Sequence, residues 1–298
     1  MARISSDIGI GAPFATFDWG KPEWFGTAAY WVDQCTRTSA PTSYALGESL
    51  AEELGACILG GHGIQAEVGL AAYHAVRAAG LLVGSRTPSA SDIFHCLSSP
   101  LRVGRRWVHY RFANQRSARL AEAMRALSLM PLPSHPVALR DALLQLPGVG
   151  PKTASWIVRN HLGTNAVAII DIHIVRAGRA AGFFDSTWRL PRDYRIFEDA
   201  FLNFASLAAV PAAHLDACMW EQVRELGPHA DAVMAAVSRS REVREQSGAR
   251  RIWEMTPEGD SDQVLSQMVR PGTFQDSAGS DNAAGQVSFH SSNVHGEH

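Results

Sequence analysis

Apolar residues recur every three or four positions through most of the middle of the chain. This spacing places them on one side of an α-helix, so it predicts amphipathic helices that pack on a shared core. The predicted helical segments are 44–59, 65–79, 116–130, 137–146, 152–162, 168–184, 193–208 and 211–226. Because no segment alternates convincingly between apolar and polar residues, the pattern predicts an all-α domain over residues 41–230.

The two ends of the chain differ from this middle. Residues 1–40 are rich in Trp, Phe, Gly and Pro, which predicts an irregular wrap on the helical domain. Residues 240–298 are dominated by Ser, Gly, Asn, Asp and Gln, which predicts a disordered tail. No apolar run is long enough to span a bilayer and the start lacks the features of a secretory signal, so we expect a cytoplasmic protein without a membrane partner.

The charge is unevenly distributed along the chain, although the net charge is only −2. Residues 101–160 hold ten basic residues against two acidic ones. Solvated helix faces would explain such a segment, but a run this basic in a slightly acidic protein favours contacts with nucleic-acid phosphates. Only two of the 27 basic residues are lysines, Lys21 and Lys152. Because arginine fills all the other basic positions, Lys152 stands out as a lysine retained for its chemistry.

Two glycines and two prolines interrupt a helix in the stretch LQLPGVGPKTASWIVRN, residues 144–160. Glycine permits the conformations of a tight turn, and Pro151 suits the first position of a following helix. The pattern predicts a helix-hairpin-helix over residues 140–162, a backbone site for DNA phosphate. Nineteen residues after Lys152, Asp171 lies among isoleucines, where a carboxylate needs a partner or a function. Capping of the next helix is the simpler explanation for Asp171.

The segments LPGVGPKTA (146–154) and IDIHIVR (170–176) together resemble the signature of the helix-hairpin-helix (HhH-GPD) DNA glycosylase superfamily. The resemblance covers residues 44–230 and implies two helical subdomains that flank a cleft for DNA and the active site. It implies that Lys152 attacks the sugar to form a Schiff base and that Asp171 is the catalytic carboxylate. The lysine position and the absence of a C-terminal cysteine cluster favour the branch of 8-oxoguanine DNA glycosylase/AP lyases.

The same resemblance implies roles for residues around this pair. The implied DNA contacts are Gly148, Gly150, Thr153, His62, Tyr110, Arg111, Arg116 and His173. His62 and Tyr110 would fill the gap left by the extruded base and Arg111 would read its orphaned partner, although a loop histidine, a packed aromatic and a phosphate contact are the plainer alternatives. The implied base pocket is Trp156, Asp216 and Trp220, with core packing as the alternative for both tryptophans.

No cofactor and no catalytic metal follow from the sequence. Four scattered cysteines without CxxC spacing argue against a zinc site, an iron–sulfur cluster and a disulfide framework. The resemblance implies at most a structural ion on the backbone carbonyls of Leu144, Leu146 and Val149.

The leading interpretation is a monomeric glycosylase that extrudes and excises a modified base from double-stranded DNA, with 8-oxoguanine as the first candidate. The pocket departs from the eukaryotic type, since Trp156 replaces a small residue and Glu67 an arginine. This leaves open another modified base, such as a hypermodified cytosine in phage DNA, and with it antiviral defence. A non-catalytic DNA-binding module is the third interpretation, but it would require neither Lys152 nor Asp171.

Overall fold

The structure, a computed structural model, describes residues 2–4, 15–61, 63–83 and 87–246. These ranges contain eleven helices: α1 (Ala28–Arg37), α2 (Leu50–Leu59), α3 (Ala66–Ala78), α4 (Ala90–Ser98), α5 (Ala113–Leu127), α6 (Pro136–Leu143), α7 (Pro151–Leu162), α8 (Ile172–Ala181), α9 (Tyr194–Leu207), α10 (Ala212–Leu226) and α11 (Pro228–Gln246). The only strands within them form two antiparallel ribbons, β1 (Ala2–Ile4) with β2 (Ala15–Phe17) and β3 (Leu101–Val103) with β4 (Arg106–Val108). The all-α prediction is confirmed, and strands of three residues are too short to be seen as an alternation.

The helices pack around two apolar cores, which define two lobes. The terminal lobe comprises α1 and α8–α11, with Trp31 and Phe204 fully buried at its centre. The central lobe comprises α2–α7 and the β3–β4 ribbon, around Tyr73 and Ile157. The chain returns from the central lobe to the terminal lobe just after Val167. These lobes are the two helical subdomains that the resemblance implied.

Residues 1–40 are only partly the irregular wrap that the composition predicts. Ala28–Arg37 form α1, which Thr27 caps by accepting a hydrogen bond from the Tyr30 amide at 3.2 Å. Trp31 and Cys35 lie on the buried side of this helix. The prediction is therefore wrong for α1, where aromatic residues mark a helix inside the terminal core. Residues 18–27 are irregular, as expected.

The helical domain continues past residue 230, its predicted end. Ala230 and Met234 of α11 are buried in the terminal lobe. Because α11 runs to Gln246, the prediction of a disordered tail is wrong for residues 240–246, and its remainder lies outside the described residues. Within the described ranges no single helix is long and apolar enough to cross a membrane; only α9 and α10 together, bent by 106°, meet that test of length and composition.

Candidate active site

The break between α6 and α7 is the tight turn that its glycines and prolines predict. Pro151 occupies the first position of α7, where a helix leaves the amide unpaired and proline costs nothing. Gly148 has a φ of +78°, in the left-handed region that favours glycine. Leu146 and Val149 are buried in the central lobe, whereas Gly148 and Gly150 are exposed. The apolar pair anchors the hairpin and leaves its glycine backbone open to solvent at the start of α7.

Lys152 lies in the first turn of α7 with its side chain 36% exposed. Its Nζ is 3.3 Å from Oδ2 of Asp171 and 5.7 Å from the centre of the Trp156 ring. Trp156 follows Lys152 by four residues, so both side chains lie on the same side of the helix. The amine is therefore held where α7 meets the start of α8, beside a carboxylate and an aromatic ring.

Asp171 caps a helix and faces the lysine at the same time. Its Oδ1 accepts hydrogen bonds from the amides of His173 at 2.8 Å and Ile174 at 3.1 Å, so the capping interpretation is confirmed. Its Oδ2 is the oxygen that faces Lys152, and the side chain is only 8% exposed. Two amide donors thus fix the orientation of the carboxylate and present its second oxygen to the amine.

The segment that leads to Asp171 is held by side chains of α9 and α10. The successive amides of Ala168–Ile170 donate to Glu198 Oε1 at 3.1 Å, Asp216 Oδ2 at 3.3 Å and Tyr194 Oη at 3.2 Å. These are buried amides that lie outside any helix or strand, so side chains must satisfy them. The three hydrogen bonds set the position of the residue before Asp171, and hence that of the carboxylate itself.

Glu198 connects this segment to the central lobe. It forms an ion pair with Arg140 of α6, and both residues are only 2% exposed. The hydroxyl of Ser155 on α7 donates to Glu198 Oε1 at 2.8 Å. A pair of this kind leaves neither buried charge uncompensated. Sequence reasoning missed this network, and its one signal was a glutamate inside the apolar stretch YRIFEDAF of residues 194–201.

Asp216 of α10 lies behind Asp171 and is enclosed, with 3% exposure. One oxygen accepts the Ile169 amide, and the other is 3.6 Å from Nη2 of Arg159, whose guanidinium lies 4.4 Å from the centre of the Tyr44 ring. Burial raises the pKa of Asp216 to about 6, against the lowering effect of the Arg159 charge. These contacts support a structural role for Asp216, and its place in the base pocket stays a prediction.

The two pocket tryptophans are half-buried, one in each lobe. The backbone of Gly60 lies against Trp156, since a Cβ added there would be 3.3 Å from the indole. Trp220 packs on the terminal core with the Arg224 guanidinium 5.2 Å from its ring centre. Arg224 also lies 3.4 Å from Glu67 of α3, so Glu67 joins the two lobes. Packing contacts explain why both tryptophans are half-buried. Their roles in base binding stay predictions.

Tyr110 lies in the central core, 5% exposed, and its hydroxyl donates to the carbonyl of Leu59 at 2.6 Å. Burial raises its pKa to about 12. A ring enclosed in this way does not reach the DNA surface, so its position does not support the predicted gap-filling role. The alternative of a packed aromatic describes it instead.

The other predicted DNA contacts differ in accessibility. Arg111 is exposed, whereas Arg116 is half-buried and donates to a backbone carbonyl of α2 at 2.9 Å. Thr153 is half-buried on α7, and the buried Nδ1 of His173 has no hydrogen-bond partner among the described residues. His62 lies outside the described residues. Arg111, the exposed arginine, is therefore the predicted contact best placed to touch DNA without rearrangement.

The hairpin carbonyls of Leu144, Leu146 and Val149 remain a predicted site for a structural ion. The Leu146 carbonyl already accepts the Val149 amide at 3.1 Å. In the part of the chain that the structure describes, no three His, Cys, Asp or Glu side chains are grouped as metal ligands. All four cysteines are free thiols.

A helical fold of two lobes, with a hairpin before α7 and a lysine–aspartate pair where the lobes meet, defines a helix-hairpin-helix DNA glycosylase. The comparison with protein families is more specific. The model of the 8-oxoguanine DNA glycosylase family, Ogg-HhH, matches residues 42–210, more than half of the chain, and the protein belongs to that family. The superfamily and the branch that the two motifs suggested are confirmed, and the protein is an enzyme that acts on DNA.

Three solved structures illustrate the similarity. The 8-oxoguanine DNA glycosylase of Thermotoga maritima is 23% identical with a TM-score of 0.44, over 58% of this chain and 79% of that one. The 8-oxoguanine glycosylase/lyase of Methanocaldococcus jannaschii in complex with a 15mer DNA containing 8-oxoguanine is 20% identical with a TM-score of 0.47, over 65% and 89%. A second structure of the Methanocaldococcus jannaschii 8-oxoguanine DNA glycosylase is 22% identical with a TM-score of 0.47, over 65% of this chain and 83% of that one. No curated protein matches the chain.

Proposed function

We propose that the protein excises 8-oxoguanine from double-stranded DNA and cleaves the strand at the resulting abasic site, acting as a monomer. The observation that carries the proposal is the 3.3 Å distance from Nζ of Lys152 to Oδ2 of Asp171. Membership of the 8-oxoguanine DNA glycosylase family supports the choice of base over a hypermodified cytosine. Both members of the pair belong to one chain, which supports the monomer.

Lys152 is the nucleophile in this mechanism. Its neutral amine attacks C1′ of the damaged nucleotide, the C1′–N9 bond breaks, and the purine leaves with the bonding electrons and takes up a proton. The ammonium group must lose a proton before the attack. Asp171 Oδ2 is the acceptor within reach, and it passes that proton to the departing purine, so that the carboxylate is charged again as the C1′–N9 bond breaks. After that, ring opening gives a Schiff base at C1′. Loss of a C2′ proton then breaks the C3′–O bond by β-elimination.

Asp171 supplies the negative charge that the reaction needs. The sugar develops positive charge as the base departs, and a fixed carboxylate stabilises that oxocarbenium-like state. The two amides that hold Oδ1 keep this carboxylate oriented, so little reorganisation accompanies the reaction. Trp156, one helical turn from Lys152, offers a ring on which an extruded purine can stack. We assign Trp220 and Asp216 to the wall of the same pocket.

The test is borohydride trapping on duplexes that each contain one modified base. The panel includes 8-oxoguanine and hypermodified cytosine, and compares wild type, Lys152→Gln and Lys21→Gln. Because the chain has only two lysines, Lys21→Gln is a matched control for the loss of any lysine. We expect a covalent adduct with the 8-oxoguanine duplex in wild type and Lys21→Gln, and no adduct in Lys152→Gln.

Each other outcome rejects a defined part of the proposal. Base release without trapping would reject the Schiff base and leave water as the nucleophile. An adduct that survives in Lys152→Gln would reject Lys152 as the nucleophile. Trapping on hypermodified cytosine but not on 8-oxoguanine would reject the substrate and revive the defence interpretation.

A further inference from the structure

The β3–β4 ribbon carries a surface tryptophan, Trp107, that takes no part in the active site. Trp107 is 70% exposed, more than Trp24, the other exposed tryptophan among the described residues, at 46%. Arg102 is its partner in the register of the ribbon, and Arg105 and Arg106, which are also exposed, precede it directly in the chain. Residues 101–111 contain no acidic residue. An aromatic ring exposed to this degree within a basic patch marks a contact surface rather than a part of the core.

These three guanidinium groups are available to an anion. Within the described ranges none of them forms an ion pair, whereas Arg37, Arg77, Arg140 and Arg195 all do. Arg102 bonds only the carbonyl of Gly104 at the tip of its own ribbon, at 3.3 Å. Surface arginines without an ion pair on a short, hydrogen-bonded ribbon suit the phosphates of DNA, because they give up no internal ion pair on binding.

The base of the ribbon is anchored beside the active site. Two residues after β4, the Tyr110 hydroxyl bonds the carbonyl of Leu59 at the end of α2. The next residue along the chain, Gly60, lies against the indole of Trp156. The ribbon is therefore connected through one core tyrosine to the wall of the site that holds Lys152.

Helix α5 joins the ribbon to the DNA-binding hairpin. It starts at Ala113, just after the ribbon, and six residues later Arg119 packs on Gly148, where an added Cβ would be 3.1 Å from its side chain. Six residues of α-helix rise about 9 Å. The hairpin thus packs on α5 within about 9 Å of the point where that helix begins, five residues after the end of β4.

We propose that the β3–β4 ribbon is a second DNA-binding element, in which Arg102, Arg105 and Arg106 bind backbone phosphates and Trp107 packs against a base or sugar beside the lesion. This goes beyond the proposed function because it concerns the affinity of the protein for double-stranded DNA, whichever base is excised. Charge decides the kind of partner: an apolar protein surface would not match a ribbon with three free cations.

The test measures binding without catalysis, in the Lys152→Gln background. Fluorescence anisotropy gives Kd on an undamaged duplex and on an 8-oxoguanine duplex over a range of salt concentrations. The variants are Arg102→Gln/Arg105→Gln/Arg106→Gln, Trp107→Ala, and Arg37→Gln as a control for removal of an exposed arginine on the terminal lobe. Thermal unfolding of each variant checks that these surface changes leave the fold intact.

We expect the triple variant to bind both duplexes at least 10-fold more weakly at low salt. The slope of log Kd against log salt should fall by about 0.9 for each phosphate that the ribbon no longer binds, close to 3 in all. Trp107→Ala should bind roughly 10-fold more weakly with an unchanged salt slope, because stacking releases no counterions. Arg37→Gln should bind like its parent.

An unchanged affinity and slope in the triple variant would overturn the proposal, as would an equally weakened affinity in Arg37→Gln. Weakened binding by the triple variant with normal binding by Trp107→Ala would overturn the part played by the ring. Failure of the proposed function is separately visible: wild type would then release no 8-oxoguanine, while these binding differences on undamaged DNA would remain.

Discussion

The two lobes contribute opposite chemistry to one site. The central lobe supplies the amine of Lys152, the ring of Trp156 and the free arginines of the ribbon. The terminal lobe supplies two buried carboxylates: Asp171 at the start of α8, and Asp216 of α10 behind it. DNA is a polyanion, so a basic lobe can bind it directly, while carboxylates are tolerable near it only when fixed and shielded.

This difference also explains how each side is held. The central side is anchored by local features: a glycine turn, a proline at the start of α7, and a two-stranded ribbon. The terminal side needs long-range contacts, since Glu198, Asp216 and Tyr194 hold the three amides before Asp171. Reactivity therefore depends on the contacts that join the two lobes, and variants on both sides of these contacts test that dependence.

Replacing Asp171 by Asn should separate chemistry from structure in the terminal lobe. Asn caps helices about as well as Asp, so the free energy of unfolding should change by less than about 1 kcal/mol. The rate of base release should fall on the order of 10³-fold, because the neutral amide stabilises no cation. Single-turnover kinetics and urea unfolding measure the two effects. Asp92→Asn, at the capping box of α4, is the control that should leave the rate unchanged. A normal rate in Asp171→Asn would make Asp171 a capping residue only.

Glu198→Gln tests the contact between the lobes that the Arg140–Glu198 ion pair makes. The change leaves the Arg140 guanidinium buried at 2% exposure without its main anionic partner, although Asp141 remains 2.6 Å away. Removing one partner of a buried pair costs about 3 kcal/mol, and chemical denaturation measures it. Glu122→Gln on the exposed side of α5 should have no measurable effect. If Glu198→Gln were as stable as wild type, the connection between the lobes would have to lie elsewhere.

Asp216 should make stability depend on pH. Its pKa is about 6 in the folded protein, whereas an unfolded aspartate titrates near about 4. Between these two pKa values the folded state binds more protons than the unfolded state. The contribution of Asp216 to the free energy of unfolding is therefore greatest at low pH, and about 3 kcal/mol of it is lost as the pH rises through 6.

Asp216→Asn should remove that dependence. Relative to wild type, the variant should gain about 3 kcal/mol of unfolding free energy between pH 4 and pH 7, and its relative stability should be constant above pH 7. Urea titrations at a series of pH values provide the measurement, with Glu221→Gln on the exposed side of α10 as the control. A parallel pH profile in Asp216→Asn and wild type would show that Asp216 titrates normally.

The smallest expected effect compares two glycines in the hairpin of the central lobe. Gly148→Ala should cost about 1–2 kcal/mol, because a Cβ is strained at a φ of +78° and would approach Arg119 to 3.1 Å. Gly150→Ala should cost less, at most about 1 kcal/mol, since its φ is −95° and nothing lies within 4 Å of an added Cβ, so that only the preference for glycine over alanine at the N-cap of α7 is lost. Thermal unfolding compares them. Equal destabilisation of the two variants would mean that the turn does not depend on the left-handed residue.

Sequence reasoning failed where burial was decided far away in the chain. Tyr110 follows a basic segment and looks like a surface residue, but its hydroxyl is satisfied by a carbonyl 51 residues earlier. Glu198 looks like an ordinary polar position on α9, yet its partners are Arg140 and the Ala168 amide, 58 and 30 residues away. Composition suggested an irregular start to the chain, but residues 28–37 form α1, whose Trp31 and Cys35 the terminal core covers.

By itself, the amino-acid sequence determined eight of the eleven helices in the described residues, all but α1, α4 and α11, together with the hairpin and the presence of Lys152 and Asp171 in a recognisable pair of motifs. It could do so because helical periodicity, turn-forming glycine and proline, and helix caps are local properties of neighbouring residues. Only the tertiary structure decided which oxygen of Asp171 faces the amine, which carboxylate is enclosed and which aromatic ring is exposed. Those outcomes depend on burial and on hydrogen bonds between segments distant in the chain, and these exist only after the two lobes have packed.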